Sequence, residues 1–414
     1  MKLRYHASVL FIIFVVAILL FWLPGISRSL DLKIDNTTVK TTAQNNSIVI
    51  SNRYIAKHIQ TPINVRGLYL SGWGAGNTTI KDRVIKMITD SQLSSDTSLN
   101  SVVIDVKDYT GLISFKLDKD MIDDNHKYDN GDMSIFEINN TSNKIANIKK
   151  LIEDLHNKNI YVIGRIAVFQ DPYMPKYKSE VAIKVKENNT KSEDIAWKDK
   201  KGLTWVNPNS EQYWKYIVNL SKYTYDIGFD EVNLDYIRYP TDGNVDNMDL
   251  GLASGTTKYE TINSFYEYVG EELRDYVPVS ADLFGLTTMS KDDMGIGQKI
   301  ESGLINFDFV APMIYPSHYG AGFKGMANPD ANPYSTIRLT MIEADKKVKA
   351  LSSNTDESSE VYWSKMRPWI QDFSLHTAYG INEVDAQIRA LRELGINSYL
   401  IWNASNVYTR GVKY

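Results

Sequence analysis

The chain has 414 residues, 43% of them hydrophobic and 23% charged, which is the composition of a globular protein and not of a disordered one. Its formal net charge of -4 provides no basic field for nucleic acid. It has no cysteine, which excludes disulfides, thiolate metal sites and cysteine nucleophiles.

Lys2 and Arg4 precede an apolar run from Ala7 to Leu23 that Pro24 ends. Its 17 residues exceed the roughly 7–15 of a cleaved signal core and reach the about 17–25 of a spanning helix. No A-x-A cleavage site follows. The expected organisation is a signal anchor over 1–27, holding the N-terminus inside the cell membrane and the rest outside the cytoplasm; a cleaved signal peptide and a secreted product are the alternative. Residues 28–60, rich in Asn, Thr, Ser and Lys, read as a flexible linker. Residues 61–414 form the remaining domain.

In that domain short apolar runs alternate with helical patterns, the signature of parallel βαβ units. The strands expected begin at 66-RGLYLSG, 100-NSVVIDV, 160-IYVIGRIAVF, 230-DEVNLDY, 277-VPVSADLF, 307-FDFVAPMIY, 367-RPWIQDF and 398-SYLIWNA. Helices are expected near 78–90, 144–157, 210–226, 259–276, 292–303, 335–350 and 382–394. Eight strands with seven intervening helices fit a (β/α)₈ TIM barrel, a member of the α/β class. An open doubly wound sheet is the alternative, but the turn after the first strand, SGWGAGN, lacks the glycine spacing of a dinucleotide site. The links 106–143, 170–209, 236–258 and 316–334 are long and follow strands, the side on which barrels build active sites.

Polar residues gather at the C-terminal ends of these strands: Asp105 and Lys107, Arg165, Asn233 and Asp235, Asp282, Tyr315 and His318, Trp369 and Gln371, Trp402. A lone Asp after a strand is most often a cap or a turn former. Strand alternation, however, turns Asp105, Asp235 and Asp282 to one side, with apolar Ile104, Leu234 and Ala281 on the other. Arg165 joins them. Two carboxylates across a cleft, one ionised and one protonated, are the requirement of glycoside hydrolysis. Asp235 is the candidate for the ionised member, with Arg165 and Arg238 nearby to lower its pKa. Asp282 is the candidate acid, and Asp105 is either the alternative acid or a ligand for sugar hydroxyls. Lys107, flanked by Asp105 and Asp108, reads as an ion-paired residue at the same mouth and not as a Schiff-base lysine. Tyr315, His318, Trp369, Gln371 and Trp402 complete the expected substrate-binding set.

Other chemistries lack their residues. The six histidines are scattered, with no H-E-x-x-H, so no metal site is expected. No G-x-S-x-G elbow or P-loop is present, and no cofactor is expected.

The strings IDVKDYTG, GRIAVFQDP, GFDEVNLDYIRYPTDG, SADLFG, DFVAPMIYPSHY and RPWIQDF resemble a bacterial glycoside hydrolase family whose barrel is distantly similar to that of α-amylases. The resemblance runs from Val65 to Asn403 and implies a (β/α)₈ fold and a sugar-polymer substrate. It implies a nucleophile at the end of strand four, which is Asp235. The acid of that pattern is a Glu ending strand five, where this chain has the shorter Asp282. Its third acid, after strand seven, falls on Asp372, whereas alternation turns Gln371 inward. The leading expectation is thus a glycoside hydrolase or transglycosidase acting on cell-wall or extracellular polysaccharide. A non-catalytic carbohydrate-binding barrel tethered at the cell surface is the second.

Overall fold

The structure, a computed structural model, describes residues 57–414 other than 94–97, 122–127, 129–133, 139 and 187–194. The expected anchor and the linker up to residue 56 lie outside the described residues. Among those described, no helix is long and apolar enough to cross a membrane.

Eight strands occupy the segments the apolar runs mark: β1 (Arg66–Leu70), β2 (Ser101–Lys107), β3 (Tyr161–Ala167), β4 (Glu231–Asp235), β5 (Val279–Phe284), β6 (Phe309–Met313), β7 (Trp369–Gln371) and β8 (Tyr399–Trp402). Each pairs in parallel with the next, and β8 pairs with β1 through Arg66–Tyr399, Gly67–Leu400 and Leu68–Ile401, so the sheet closes. The intervening helices are α1 (Thr78–Gln92), α2 (Ile148–His156), α3 (Glu211–Asp226), α4 (Lys258–Leu273), α5 (Ile300–Asn306), α6 (Pro333–Ser352) and α7 (Ile381–Arg392). This is the TIM barrel expected from the alternation.

Local chemistry starts the helices. The Asn77 and Asn147 side chains accept from the amides of Ile80 and Lys150, and Thr257 with Glu260 forms a reciprocal cap on α4. Helix α5 begins eight residues later than the periodicity suggests. Gly295 and Gly297, at φ of 67° and 85°, hold the preceding segment in left-handed turns.

The strands separate two apolar layers. Leu68, Leu70, Val102, Ile104, Val162 and Leu234 pack outward against the helices. Val65, Tyr69, Val103, Tyr161, Ile163, Ala311, Tyr315, Trp369 and Leu400 fill the inside. The inward side of β4 is polar at every level, with Glu231, Asn233 and Asp235 all buried. At the N-terminal mouth Glu231 is held by Arg367 Nη1 at 2.7 and 2.9 Å and by the Tyr161 hydroxyl at 3.1 Å. Asp235 stands at the opposite, C-terminal mouth.

Two peripheral segments are fastened to the barrel. Lys57 Nζ reaches Asp226 at 2.7 Å, and the Ile59 amide donates to Asp230 at 2.8 Å, so residues 57–59, assigned to the linker by composition, dock on the barrel wall. After β8 the chain runs back over β1. Asn406 Nδ2 and the Tyr408 hydroxyl both donate to the Tyr69 carbonyl, at 3.1 and 2.5 Å. Thr409 caps Asp372 through its amide and hydroxyl at 2.8 and 2.7 Å.

Candidate active site

The C-terminal mouth is organised around one guanidinium. Arg165, from the middle of β3, is buried. Its Nη1 donates to Asp105 Oδ1 at 2.6 Å, and its Nε and Nη2 donate to Asp235 Oδ2 at 3.1 and 2.5 Å. A third carboxylate, Asp282 Oδ2, lies 3.9 Å from Nε. The pairing of Asp105 with Arg165 and of Ala167 with Asp235 across neighbouring strands sets this convergence. The face of the guanidinium rests against Tyr69 and Trp402, whose rings stack 4.0 Å apart.

The three carboxyl groups differ in what surrounds them. Asp235 takes the arginine fork on one oxygen and the Tyr236 amide on the other, at 2.6 Å. Its two oxygens thus accept three hydrogen bonds, two of them from a cation. Tyr236 adopts a left-handed φ of 54° to deliver that amide, a conformation that costs a bulky side chain about 1 kcal/mol or more. Asp105 accepts from the Tyr69 hydroxyl at 2.6 Å and the Gly72 amide at 3.4 Å, besides Arg165. Asp282 Oδ1 accepts from Trp369 Nε1 at 2.7 Å and Asn233 Nδ2 at 2.9 Å. Burial first, and the charge of Asp235 second, push its carboxyl up to about 8, against the opposing pull of Arg165. At neutral pH Asp282 therefore keeps its proton.

A cavity of about 180 Å³ opens here, lined by Arg165, Asp235, Tyr236, Arg238, Asp282, Phe284, Met313, Tyr315, Trp369 and Trp402. The combination of flat aromatic faces and a few convergent polar groups suits a sugar ring. A larger groove of about 960 Å³ runs between α1 and the C-terminal segment, away from the carboxylates.

Of the residues expected from sequence, Asp235, Asp282, Arg165, Arg238, Tyr315, Trp369 and Trp402 meet at this cavity. Asp105 holds Arg165 from behind and is not part of the lining. Lys107 is a correction. The β2–β3 register shifts between Asp105 and Lys107, so Lys107 lies past a bulge. Its ammonium is fully buried on the Ala167 carbonyl at 2.5 Å and on Asp171 at 2.9 Å, not on either flanking aspartate. Gln371 is also corrected: its amide is consumed by the Ser317 amide, Asp330 and the Phe373 carbonyl, so it ties the loops after β6 and β7 together. His318 is exposed, packs against Tyr315 and Phe373, and lies outside the lining. Asp372 binds Thr409 and takes no part in the site. Tyr69, Tyr236, Phe284 and Met313 were missed, and Asn233, noted at its strand end, was given no role. Tyr69 and Asn233 were within reach of the alternation argument, being inward and polar. Tyr236 follows the end of β4, and Phe284 and Met313 are the last residues of β5 and β6. Among the described residues no group of three or more His, Asp or Glu side chains could hold a metal ion.

A family model described as "Putative glycosyl hydrolase domain" matches residues 67–408, from β1 to the segment that covers it. The chain belongs to this family. The glycosyl hydrolase-like assignment thus spans the entire barrel and its mouth. Among solved structures, a hypothetical protein from Ruminiclostridium thermocellum ATCC 27405 is 30% identical over 55% of this chain and 98% of its own, with a TM-score of 0.40. The glycoside hydrolase domain of PgaB (BpsB) from Bordetella bronchiseptica is 12% identical, covers 83% of this chain and 95% of its own, and has a TM-score of 0.54. The latter likeness is one of fold. No curated protein matches the chain.

Proposed function

We propose that this family member is a glycoside hydrolase that cleaves or transfers glycosidic bonds of a cell-wall or extracellular polysaccharide, with Asp235 and Asp282 as its catalytic pair. The observation that carries the reading is the contrast in what surrounds two carboxyl groups on adjacent strands facing one cavity. Asp235 is gripped by Arg165 on one oxygen and by the Tyr236 amide on the other, which positions it as the nucleophile or base. Asp282, two hydrogen bonds from neutral donors and only a distant arginine to stabilise its charge, remains an acid. Asp282 donates its proton to the glycosidic oxygen as the bond to the anomeric carbon breaks. Asp235 then attacks that carbon or takes a proton from the water that does. Arg165 stays bound to Asp235 throughout and sets its orientation. The acid role falls to Asp282 and not to Asp105 because both oxygens of Asp105 are already engaged by Arg165, Tyr69 and Gly72.

The extracytoplasmic setting and the tether at residues 7–23 belong to the same reading. They are supported by the length of the apolar run and its Lys2 and Arg4 flank.

The test is Asp235→Asn. Turnover on the cleaved polysaccharide should drop by about 10³-fold or more while oligosaccharide affinity changes little, because Asn retains shape but can neither attack nor accept a proton. A variant that keeps a substantial share of turnover removes Asp235 from the reaction. A wild-type protein that binds sugar and never turns it over is a binding barrel.

A further inference from the structure

The catalytic cavity contains a cation that the reaction above does not use. Of the five buried Lys and Arg side chains in the described residues, Lys107 is paired with Asp171, Arg165 with Asp105 and Asp235, and Arg367 with Glu231. Arg66 and Arg238 have no carboxylate within ion-pairing distance. Arg66 lies at the opposite mouth, where β1 begins. Arg238 lines the cavity together with Asp235 and Asp282.

Its surroundings fix the guanidinium without satisfying it. Phe284, Trp205 and Tyr236 stand 4.5, 5.2 and 5.4 Å from it. Trp205 is itself held by its indole N–H on Asp199 at 3.1 Å, so this wall is braced. One hydrogen bond is made, from Nη1 to the Tyr239 carbonyl at 2.8 Å. The guanidinium has five N–H donors, and its other nitrogens have no acceptor, yet none is sealed away from the cavity as a buried orphan. Ring faces attract the cation but accept none of its N–H bonds. A desolvated arginine of this kind is costly until an anion arrives, and a planar fork is matched by a carboxylate. The other charges leave room for one: Arg165 is shared by Asp105 and Asp235, and Asp282 carries its proton.

We infer that Arg238 selects a sugar ring bearing a carboxylate, so that the substrate is a polysaccharide of the uronic acid class. The inference rests on the glycoside hydrolase reading and specifies its substrate. The ring stacks on the Trp402, Trp369 and Tyr315 side of the cavity, and its carboxylate meets Arg238 beside Phe284.

Binding to the full-length Asp235→Asn protein, measured by calorimetry in detergent, tests this without requiring turnover. The probes are glucuronate, galacturonate and mannuronate oligosaccharides, their carboxyl-reduced counterparts, and a glycerol-phosphate polymer. At least one uronate series should bind about 10-fold or more tightly than its reduced form. Adding Arg238→Gln should remove that preference while changing affinity for the reduced form by less than about 3-fold. Equal or tighter binding of the reduced sugars, preference for the phosphate polymer, or equal loss on both forms in Arg238→Gln overturns the assignment and leaves the hydrolase reading standing. Failure to bind any of these sugars, combined with no turnover by the wild type on any polysaccharide, overturns both.

Discussion

Replacing Asp282 with Asn should make the protein more stable at alkaline pH while disabling it. Asn is nearly isosteric, and its Oδ1 can still accept from Trp369 Nε1 and Asn233 Nδ2. What changes is titration. The Asp282 carboxyl moves from an ordinary 3.8 to about 8 in the folded domain, which at about 1.4 kcal/mol per pKa unit is a bias on the order of 6 kcal/mol against the charged form. The side chain is buried, so little of this is screened, although relaxation around the Asp235 pair reduces it. Below pH 4 the group is protonated whether the chain is folded or not, and its contribution is fully present. As pH rises from about 4 to about 8 the unfolded chain gives up the proton and the folded domain does not, so stability is lost across that window. The Asn variant has no such loss. Calorimetric Tm values of both proteins at pH 5 and pH 9 measure it. The variant's advantage should be larger at pH 9 than at pH 5 by on the order of 5 °C. An identical Tm difference at the two pH values refutes the raised pKa and, with it, the assignment of Asp282 as the acid. The same group sets the alkaline limb of kcat/KM in the wild type, which should fall above pH 8, and Asp282→Asn should retain activity mainly on nitrophenyl or fluoride glycosides, whose leaving groups need no proton.

Lys107→Met should destabilise the domain by about 3–5 kcal/mol by stranding Asp171, yet change kcat/KM of the folded protein by less than about 3-fold; loss of activity at unchanged stability, read by denaturant titration, would place Lys107 in the site after all. Protease added to intact cells should cut within residues 28–56 and release the barrel. A protein freely secreted with its N-terminus near Leu30 would show the tether to be a cleaved signal.

The barrel was readable because its physics is local. Runs such as SVVIDV and YVIGRIA are too apolar and too short for anything but strands buried on both faces, and capped helices separate them. Alternation carried the argument from there to Asp105, Arg165, Asp235 and Asp282, since inward positions on neighbouring strands must meet. It said nothing of which partners would consume a side chain once placed. Lys107 lies past a bulge, and no feature of SVVIDVK announces that the backbone gains a residue there. Gln371 was placed at the mouth, but the acceptors and donors that consume its amide come from Ser317, Asp330 and Phe373 on loops far apart in sequence from one another's strands. The late start of α5 was written in Gly295 and Gly297, but an apolar period masked it. The raised pKa of Asp282 was not visible in the sequence. It depends on burial and the neighbouring Asp235 charge outweighing the donors Trp369 and Asn233 at Asp282.

The pairing of β1 with β8 joins residues 66–68 to 399–401. During synthesis β1 therefore waits for its second neighbour until almost the whole chain has emerged, and until then the growing sheet has two open edges able to pair with another chain. The Tyr408 and Asn406 contacts to the Tyr69 carbonyl come later still. On the proposed export across a membrane in extended form, those edges must be held apart for the entire passage. Its yield should thus depend less on the finished barrel's stability than on whatever shields β1 in the interval before the last strand arrives.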